Sequence, residues 1–386
     1  MNIGIAANYL LFERAGIGKY TQNLLKTLFK IDKNNHYFLY FSFWRKKELR
    51  KKLIRELLGR LPANVELKFL SLPAAWLEWL FSTSYPATKI IREPLDLYFS
   101  PYVSGIPRNG FPKMVTTCHD LVFLRFPGHR GRKLSQYYLQ RHQIAAQNCQ
   151  KIIAPSLATK KDLQKFLRVP AQKISVIYEA AEEKFKIIKD KRTMAKIIGR
   201  YLPHSFNPTE KYILSVGTLE PRKNLTKLVE AYSILPHQLQ RQYQLILVGG
   251  QGWNNEQLKK TIINLNLKEK VILPGFVKDE DLPYIYNGAS VFIYPSLYEG
   301  FGLPPLEAMA CGVPVISSNL SSLPEVIGRA GILVDPQDEI AIAQAIKRLI
   351  LHPKLAKKIA KQAQIRSKKF SWSLAAHKTL KVFESI

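Results

Sequence analysis

The sequence predicts an α/β chain built from two doubly wound domains. Short apolar runs of the kind found in buried strands alternate with helix-like segments, and this alternation is typical of βαβ units in a parallel sheet. It runs through the first half of the chain, stops in a charged stretch that contains prolines, and then starts again. The length of 386 residues is enough for two domains of ordinary size, each with its own core.

The N-terminal half shows the pattern from its first residues. The opening run MNIGIAANYL predicts a buried strand, which leads through the glycine-containing turn ERAGIGKY into a helix from about Thr21. Further strand-type runs are PLDLYFSP (94–101), KMVTTCHDL (113–121), KIIAPS (151–156) and KISVIYEA (173–180). Ser156 directly follows one of these strands, so it is expected to cap the next helix. Residues 1–185 are therefore assigned to an N-terminal domain of parallel βαβ architecture.

The second half repeats the pattern more clearly. A charged stretch from Glu182 to Arg200, followed by LPHSFNPTEK, has few strand signals and is the candidate linker. After it come the strand-type runs YILSVGTL, QLILVGG, KVILPGF, VFIYPS and VPVISS, with helical segments between them. From Asp338 onward, helix formers dominate to the end of the chain. Residues 186–369 are assigned to a C-terminal doubly wound domain.

Composition favours a globular protein that is neither exported nor membrane-spanning. Hydrophobic residues make up 46% of the sequence, yet it contains no signal-peptide pattern and no run of about 18 uncharged apolar residues. Cys118, Cys149 and Cys311 are scattered, odd in number and without the spacing of metal ligands, as expected of reduced thiols. We therefore expect a cytoplasmic location.

Positive charge is concentrated in the N-terminal half. The net charge is +29, and residues 1–200 hold 36 basic and 14 acidic side chains, whereas residues 201–350 hold 13 and 14. The stretch FSFWRKKELRKKLIRELLGR (41–60) mixes eight basic residues with apolar ones near helical spacing, and AAWLEWLF (74–81) adds aromatic side chains. These segments predict docking on an anionic membrane face, with a solvated basic helix as the alternative. The chain lacks a recognised nucleic-acid motif, so nucleic acid is not an expected partner.

The strongest indication of function lies in SLYEGFGLPPLEAMACGVPV, residues 296–315. The apolar, β-rich run VFIYPS predicts a strand buried in a parallel sheet, and it ends at the start of this segment. A helix is expected to follow, because Pro304 and Pro305 suit a first helical turn and LEAMA contains good helix formers. Gly312 is expected to end that helix.

Two glycines and two glutamates surround the start of this helix. Gly300 and Gly302 allow backbone N–H groups to approach a ligand beside a helix N-terminus, where phosphate is favoured. Glu299 and Glu307 flank that anion site, and carboxylates are suited to accept hydrogen bonds from sugar hydroxyls. A glutamate near a helix start is also favourable to the helix dipole alone, which is the simpler interpretation of Glu307.

A second turn, GTLEPRKNL (217–225), also follows a strand and opens a helix. Arg222 can bind phosphate oxygens through two hydrogen bonds, and Lys223 adds a second positive charge. At the carboxyl end of a parallel sheet these two cations would neutralise a diphosphate and ease its departure.

The spacing from Glu299 to Glu307, with the glycines between them, closely resembles the E-x7-E signature of retaining glycosyltransferases of family 4. The resemblance implies a GT-B fold, in which two Rossmann-like domains face each other across a cleft and the C-terminal one holds most of a nucleotide sugar. It also implies that a last helix, within residues 370–386, packs back on the first domain. Glu307 would then bind the ribose hydroxyls, and Glu299 would approach the transferred sugar. The backbone that would face the sugar and the distal phosphate is that of Gly300, Phe301, Gly302 and Leu303.

The GTLEPRKN turn matches a variant of the family pattern. In it Lys223 binds phosphate and Asn224 caps the next helix. Thr218 stands where the commonest pattern has an arginine, so Arg222 is assumed to take over that role. The turn around Gly275, Phe276 and Val277 resembles the one that binds the base; Gly249 and Gly250 likewise end a strand.

The resemblance extends to the N-terminal half. His119 matches a histidine that contacts the transferred sugar or backs the reaction centre, while Asp120 is expected only to hold the loop. The glycine-rich turn with Gly16 and Gly18 matches one that approaches the diphosphate and the acceptor. Arg14 and Lys19 would then lie near phosphate.

These resemblances predict a retaining transfer of a hexose from a nucleotide sugar to an acceptor hydroxyl. The GTLEPRKN variant favours GDP-mannose, and UDP-glucose or another UDP-sugar remains an alternative donor. A lipid-linked saccharide of cell-surface polysaccharide synthesis is the expected acceptor. The reaction is expected to need no metal and no other cofactor, and to depend on Glu299, His119, Arg222 and Lys223. A nucleotide-sugar epimerase of the same fold and a non-enzymatic nucleic-acid-binding protein are the alternatives.

Overall fold

Two parallel β-sheets, one in each of two units, organise the chain. The computed structural model describes residues 1–11, 16–126, 131–202, 211–252 and 255–386. Within these ranges the first unit comprises Met1–Glu179 and Ser371–Ile386, and the second comprises Ala180–Phe370. Strands and helices alternate in both units, which confirms the α/β class expected from the sequence.

The first unit contains a seven-stranded sheet. Its strands are β1 (Asn2–Ala6), β2 (His36–Ser42), β3 (Val65–Leu70), β4 (Leu97–Ser100), β5 (Met114–Thr117), β6 (Lys151–Ala154) and β7 (Ile174–Val176). They lie in the order β3-β2-β1-β4-β5-β6-β7, and every pairing is parallel. The helices of this part of the chain are α1 (Gly16–Ile31), α2 (Lys47–Leu58), α3 (Ala74–Ser82), α4 (Val122–Arg125), α5 (Arg132–Asn148) and α6 (Leu157–Leu167). Short turns of 3₁₀ helix lie at Asn8–Leu11, Ala87–Lys89, Val103–Gly105 and Ala171–Lys173.

Two strands of this sheet, β2 and β3, are absent from the sequence prediction. The basic helical stretch was expected from residue 41, but Phe41 and Ser42 belong to β2 and pair with Phe69 and Leu70 of β3. Phe41 is fully buried in this strand pairing, which favours an extended backbone at residue 41. The helix α2 therefore begins only at Lys47. The cap expected at Ser156 is confirmed, because its Oγ accepts a hydrogen bond from the Thr159 N–H at 3.0 Å.

The second unit contains a six-stranded sheet. Its strands are β8 (Lys211–Val216), β9 (Tyr243–Val248), β10 (Val271–Gly275), β11 (Val291–Tyr294), β12 (Val315–Ser318) and β13 (Ile332–Val334). They lie in the order β10-β9-β8-β11-β12-β13, again with parallel pairings. The helices are α7 (Lys191–Ile198), α8 (Leu225–Ser233), α9 (His237–Gln242), α10 (Glu256–Asn264), α11 (Leu282–Gly288), α12 (Leu303–Ala310), α13 (Leu323–Ile327), α14 (Glu339–Leu351) and α15 (Pro353–Ser367). A 3₁₀ turn at Pro221–Lys223 precedes α8.

Part of the expected linker is a helix of the second unit. Within the stretch from Glu182 to Arg200, α7 packs against α11 and buries Ile197 and Ile198. The Asp190 side chain caps α7 by accepting a hydrogen bond from the Thr193 N–H at 3.0 Å. The sequence analysis missed this helix because charged residues dominate the stretch, although Ile197 and Ile198 are buried. The other part of the expected linker, residues 203–210, lies outside the described residues.

The chain ends in the first unit. Its last helix, α16 (Trp372–Glu384), packs against α1, and its Phe383 ring lies 5.2 Å from that of Phe99 in β4. Ser371 caps the helix by accepting a hydrogen bond from the Leu374 N–H at 3.1 Å. No helix within the described ranges combines the length and the apolar character needed to cross a membrane.

Two loops approach closely at the ends of β8 and β9. The Gly217 N–H donates to the Val248 carbonyl at 2.9 Å, and a Cβ atom on Gly249 would lie 1.9 Å from the Gly217 carbonyl oxygen. The same atom on the adjacent Gly250 would have no neighbour within 4 Å. Position 249 therefore requires glycine to keep the two strand ends together, and position 250 does not.

We expect Gly249→Ala to lower the free energy of unfolding by about 1–3 kcal/mol, because the new methyl group forces the two backbones apart. Gly250→Ala is the matched control and should change it by less than about 0.5 kcal/mol. Urea unfolding of both variants measures the difference. Equal urea midpoints for Gly249→Ala and Gly250→Ala would contradict the close approach of Gly249 to the Gly217 carbonyl oxygen.

Candidate functional site

The candidate site lies where the strand order of the second sheet reverses. β8 and β11 are neighbours in the sheet although two strands separate them along the chain. Loops that leave such a pair diverge and create a place where open α/β sheets bind ligands. Here the two loops are also joined, because the Leu297 N–H and the Ser296 hydroxyl both donate to the Arg222 carbonyl, at 2.9 and 3.2 Å.

Glu299 occupies the centre of this site. Its side chain is buried, and Oε2 accepts a hydrogen bond from Arg222 Nη1 at 2.8 Å. Oε1 accepts hydrogen bonds from Lys223 Nζ at 2.6 Å and from the hydroxyls of Tyr294 and Ser296 at 2.9 and 2.6 Å. Two cations and two hydroxyls from the loops and strand around it thus hold one carboxylate.

The two cations have further partners. Arg222 donates from Nε and Nη2 to Glu220 Oε1, at 2.9 and 2.6 Å, and from Nη1 to the Tyr298 carbonyl at 2.6 Å. Lys223 is buried, and its Nζ donates to the Tyr294 hydroxyl at 2.6 Å. The cluster formed by Glu220, Arg222, Lys223 and Glu299 holds two positive and two negative side chains.

Burial and the two cations have opposite effects on the pKa of the Glu299 carboxyl. Burial raises the pKa of its carboxyl, but the charges of Arg222 and Lys223, with the hydrogen bonds from Lys223 and Ser296, lower the pKa to about 2. Burial and Arg222 lower the pKa of Lys223, while the carboxylate raises it. The net effect leaves the pKa of Lys223 below its ordinary value, although its Nζ atom lies 2.6 Å from the Glu299 carboxylate.

The turn after Glu299 is held by serines that follow β12. Ser321 Oγ donates to the Glu299 carbonyl at 2.6 Å, and Ser322 Oγ donates to that carbonyl and to the Phe301 carbonyl, at 3.0 and 2.6 Å. Gly302 has φ of +116°, and a Cβ atom there would lie 2.8 Å from a Leu323 methyl carbon. Gly300 and Phe301 are buried in this turn, and Leu303 begins α12.

Glu307 lies on α12, on the other side of the turn. The predicted start and end of this helix are confirmed, because Pro304 and Pro305 lie in its first turn and Gly312 follows it with φ of +72°. Glu307 is buried, and its Oε2 accepts a hydrogen bond from the Tyr286 hydroxyl of α11 at 2.8 Å. The structure therefore places the two glutamates of the motif on either side of one helix start.

The expected helix cap at Asn224 is wrong. Asn224 has a left-handed backbone with φ of +57°, and its side chain makes no capping bond to α8. Instead its amide donates to the Pro336 carbonyl, which ties the loop to the chain beyond β13. Thr218 is exposed directly after Gly217, at the end of β8.

The expected base-binding turn follows β10. Gly275 ends that strand with φ of +77°, Phe276 has 49% of its surface exposed, and Val277 is buried. About half of the surface of Phe276 is thus exposed at the carboxyl end of the sheet.

His119 lies in the first unit, two residues after the end of β5. Its ring Nδ1 lies 3.3 Å from Glu179 Oε1, and its Nε2 lies 2.9 Å from the Pro101 carbonyl oxygen. Asp120 Oδ1 accepts a hydrogen bond from the Val122 N–H at 3.1 Å, as expected of a residue that holds the loop.

The sequence suggested that Gly16 and Gly18 lie in a turn before the first helix, but the structure places them elsewhere. Both are in the first turn of α1, which begins at Gly16 and also contains Lys19. The first N–H groups of a helix have no partner within it, so glycine is tolerated there and the helix begins before the expected Thr21. Arg14 lies outside the described residues.

Several residues that build the site escaped the sequence interpretation. Tyr294 ends an apolar strand, where an aromatic residue indicates core packing; the only available signal was a hydroxyl at the carboxyl end of β11. Ser321 and Ser322 contact Glu299 only through the tertiary fold, and Glu220 joins the site through a local turn in which it pairs with Arg222. Within the described ranges, no group of three or more His, Cys, Asp or Glu side chains is placed to hold a metal ion.

Comparison of the sequence with known proteins identifies two family models. The model described as "Glycosyltransferase Family 4" matches residues 15–183, and the one described as "Glycosyl transferases group 1" matches residues 203–366. The O-antigen chain mannosyltransferase B of Escherichia coli is 32% identical over 272 residues, which cover 70% of each chain. The serotype-specific mannosyltransferase WbdA of Escherichia coli is 31% identical over 286 residues; these cover 73% of this chain and 35% of WbdA.

Solved structures show the same fold. Sucrose-phosphate synthase from Thermosynechococcus elongatus has a TM-score of 0.76 at 21% identity, covering 100% of this chain and 98% of the other. HepE of Anabaena, in complex with UDP and glucose, has a TM-score of 0.74 at 20% identity over 100% of both chains. WaaG, a glycosyltransferase involved in lipopolysaccharide biosynthesis, has a TM-score of 0.70 at 16% identity over 99% of both. The expected GT-B fold is confirmed.

Glu299→Gln tests the electrostatics of the cluster. Because the folded-state pKa of Glu299, about 2, lies below the ordinary 4.5, its ionisation stabilises the fold at higher pH, and this contribution is lost as the pH falls towards 2. We expect the variant to be less stable than wild type by about 3 kcal/mol at pH 7. Urea unfolding at pH 7 and at pH 3 measures the difference in the free energy of unfolding between wild type and variant. This difference should be smaller at pH 3.

Glu48→Gln is the control, since this exposed glutamate pairs with Lys51 at the surface and should show little effect at either pH. If the stability difference between wild type and Glu299→Gln is the same at both pH values, ionisation of Glu299 does not stabilise the fold.

Proposed function

We propose that this chain, which belongs to the group 1 glycosyltransferases, transfers mannose from GDP-mannose to an acceptor hydroxyl with retention at the anomeric carbon. The observation that carries the proposal is the cluster of Arg222, Lys223 and Glu299 beside the start of α12, at the reversal point of the second sheet. A nucleotide diphosphate fits this arrangement because two cations and a helix N-terminus attract its oxygens.

The diphosphate is the leaving group of the transfer. As the bond to the sugar breaks, negative charge develops on the distal phosphate, and Arg222 and Lys223 would stabilise that charge. Both cations are balanced by carboxylates in the free protein. We therefore propose that phosphate oxygens replace part of the contacts made by Glu299, which then accepts hydrogen bonds from the sugar hydroxyls.

The remaining donor contacts are assigned to the flanking elements. Glu307 accepts a hydrogen bond from Tyr286 through one oxygen, and we assign to its carboxylate the hydrogen bonds from the two ribose hydroxyls. The exposed ring of Phe276 and the backbone at Val277 would line the base. Thr218 and the turn from Gly300 to Leu303 complete the donor contacts proposed for the second unit.

The identity of the donor is supported by the relatives. Two relatives are named O-antigen chain mannosyltransferases and a third a serotype-specific mannosyltransferase, which favours GDP-mannose and an acceptor in cell-surface polysaccharide synthesis. A UDP-sugar is the second candidate, because HepE was solved with UDP-glucose. A thermal-shift series across nucleotide sugars separates the two, since the true donor stabilises the native state.

The reaction is proposed to be metal-independent because Arg222 and Lys223 supply the positive charge that a leaving diphosphate needs. Transfer should then persist in the presence of a chelator. Incubation with the donor alone separates a transferase from an epimerase, because an epimerase would convert the sugar without an acceptor.

We expect Lys223→Ala to lower kcat/KM by about 10²–10³-fold, because it removes one cation from the leaving group. Glu307→Ala should raise KM for the donor at least as strongly as it lowers kcat. Lys227→Ala is the matched control: this lysine lies four residues along, on α8, pairs with Glu230 and Glu339, and should leave turnover unchanged. The assay is transfer of labelled mannose from GDP-mannose, with thermal unfolding recorded for each variant. Wild-type turnover in a folded Lys223→Ala protein would refute the phosphate site.

We also propose that the first unit docks on an anionic membrane surface, as an acceptor carried by a lipid would require. Trp44, Trp76 and Trp79, the tryptophan patch, have 61%, 63% and 62% of their surface exposed. Lys47 Nζ lies 5.6 Å from the centre of the Trp44 ring and donates to Ser71, just before α3. Indole rings beside lysines and arginines suit the interface of a negatively charged bilayer.

The double variant Trp76→Ala, Trp79→Ala should bind vesicles of phosphatidylglycerol about tenfold more weakly, because it loses two interfacial anchors. Leu351→Ala, Ile365→Ala is the control, since these exposed apolar residues lie on α14 and α15 of the second unit. Sedimentation with the vesicles at low salt measures binding. Equal binding by both double variants would rule out the tryptophan patch as the docking surface.

A further inference from the structure

Two neighbouring parts of the second unit support the turn from Glu299 to Leu303, which is called the donor turn below. The first is α13, a helix of only five residues. Ser321, just before it, has a left-handed backbone with φ of +58°, which is uncommon for a residue other than glycine. Its Oγ donates to the Glu299 carbonyl at 2.6 Å and accepts a hydrogen bond from the Glu299 N–H at 3.2 Å. The chain at the start of α13 is therefore bonded to both backbone groups of Glu299.

The other end of α13 is held by one side chain from α15. Arg366 donates from Nε to the Val326 carbonyl and from Nη2 to the Glu325 carbonyl, both at 2.6 Å. The last carbonyls of a helix have no partner within it, so a very short helix depends on partners from outside. Gly328 follows the helix with φ of +56°, and a Cβ atom there would lie 2.7 Å from Arg366 Cζ. The guanidinium group thus packs against the end of α13 and bonds two of its carbonyls.

The second support is Phe370, the last residue of the second unit. Its ring stands edge-on to that of Phe301 in the donor turn, with centroids 5.8 Å apart, and Phe301 is buried. The Cζ atom of Arg366 lies 5.8 Å from the centre of the Phe370 ring, within the range of a cation–π contact. Arg366 therefore contacts both supports of the donor turn.

We propose that Arg366 is a positioning residue that holds the donor turn in the conformation that binds the nucleotide sugar. Its hydrogen bonds go to α13, so it acts on the donor turn through α13 and Phe370. A turn whose supports are loosened holds its backbone N–H groups less accurately, and such groups bind a ligand less tightly. The effect on donor binding rests on the proposed function, whereas the effect on the conformation of the turn does not.

Arg366→Gln tests this role, because a glutamine is shorter and neutral and has no guanidinium group to bond both carbonyls and contact Phe370. We expect KM for GDP-mannose to rise about tenfold and kcat to fall by less than about threefold, since Arg222 and Lys223 remain in place for the leaving group. Arg366→Lys keeps a cation that can donate to the same carbonyls, so its KM should lie between those of wild type and Arg366→Gln.

Two matched controls lie on the same helix. Ile359→Ala removes a buried side chain from the apolar core of the second unit, so it should lower the unfolding temperature but leave KM for GDP-mannose unchanged. Lys361→Gln removes one exposed positive charge and should also leave KM unchanged. The first control measures the effect of lost stability, and the second measures the effect of lost charge.

Amide hydrogen exchange of the free protein measures the donor turn without any substrate. In Arg366→Gln we expect the peptide of residues 296–306 to exchange about tenfold faster than in wild type, because its supports open more often. The peptide that contains β9 should exchange as in wild type. If Arg366→Gln does not fold, Phe370→Leu replaces it, because this variant removes the ring contact with Phe301 and should change KM and exchange in the same directions.

The proposal is overturned if a folded Arg366→Gln protein shows wild-type KM or wild-type exchange in residues 296–306. It is also overturned if Ile359→Ala or Lys361→Gln raises KM as much as Arg366→Gln does, because lost stability or lost charge would then explain the effect. Absence of transfer by wild type with every nucleotide sugar would refute the proposed function together with the effect on donor binding. The exchange result would still decide whether Arg366 holds the turn.

Discussion

The ionic contacts between Glu299, Arg222 and Lys223 are the interaction on which the rest of the second unit depends. A carboxylate buried to this degree is costly unless cations and hydroxyls surround it, and removal of one partner leaves the others unpaired. Both cations come from the loop after β8 and the carboxylate comes from the loop after β11. The contact therefore forms only when β8 and β11 are neighbours in the sheet. Strand order, loop conformation and the electrostatics of the site are thus linked through one carboxylate.

This linkage has a consequence for donor binding. A site whose charges were all positive would bind a diphosphate strongly, but it would also be costly to bury in the free protein. The carboxylates of Glu220 and Glu299 offset that cost, and under the proposed function phosphate oxygens would replace some of their contacts with Arg222 and Lys223. The first unit uses the same chemistry on a smaller scale, where Glu179 and a backbone carbonyl occupy both nitrogens of His119. In both cases a buried carboxylate lies within hydrogen-bond distance of a basic side chain.

Much of the second sheet was predictable because its strands are short apolar runs bounded by glycine and proline. The start and end of α12 followed from Pro304, Pro305 and Gly312, whose backbone preferences are local. Predictions failed where tertiary packing overrode local signals. β2 extends through Phe41 because the neighbouring strand covers that ring, and α7 forms because α11 covers Ile197 and Ile198. At α1 the glycines indicated a turn, yet the helix begins with them.

The sequence by itself determined which residue types lie at the ends of the strands: two glutamates eight positions apart, an arginine–lysine pair, and a histidine after a buried strand. These are properties of short segments, and spacing along the chain is enough to reveal them. Only the tertiary structure decided which of them meet. It paired Glu299 with Arg222 and Lys223, added Tyr294, Ser296 and two serines from beyond β12, and paired His119 with Glu179. The physical reason is that a hydrogen bond or ion pair depends on distance in space, and the order of strands in a parallel sheet sets that distance between residues far apart in sequence.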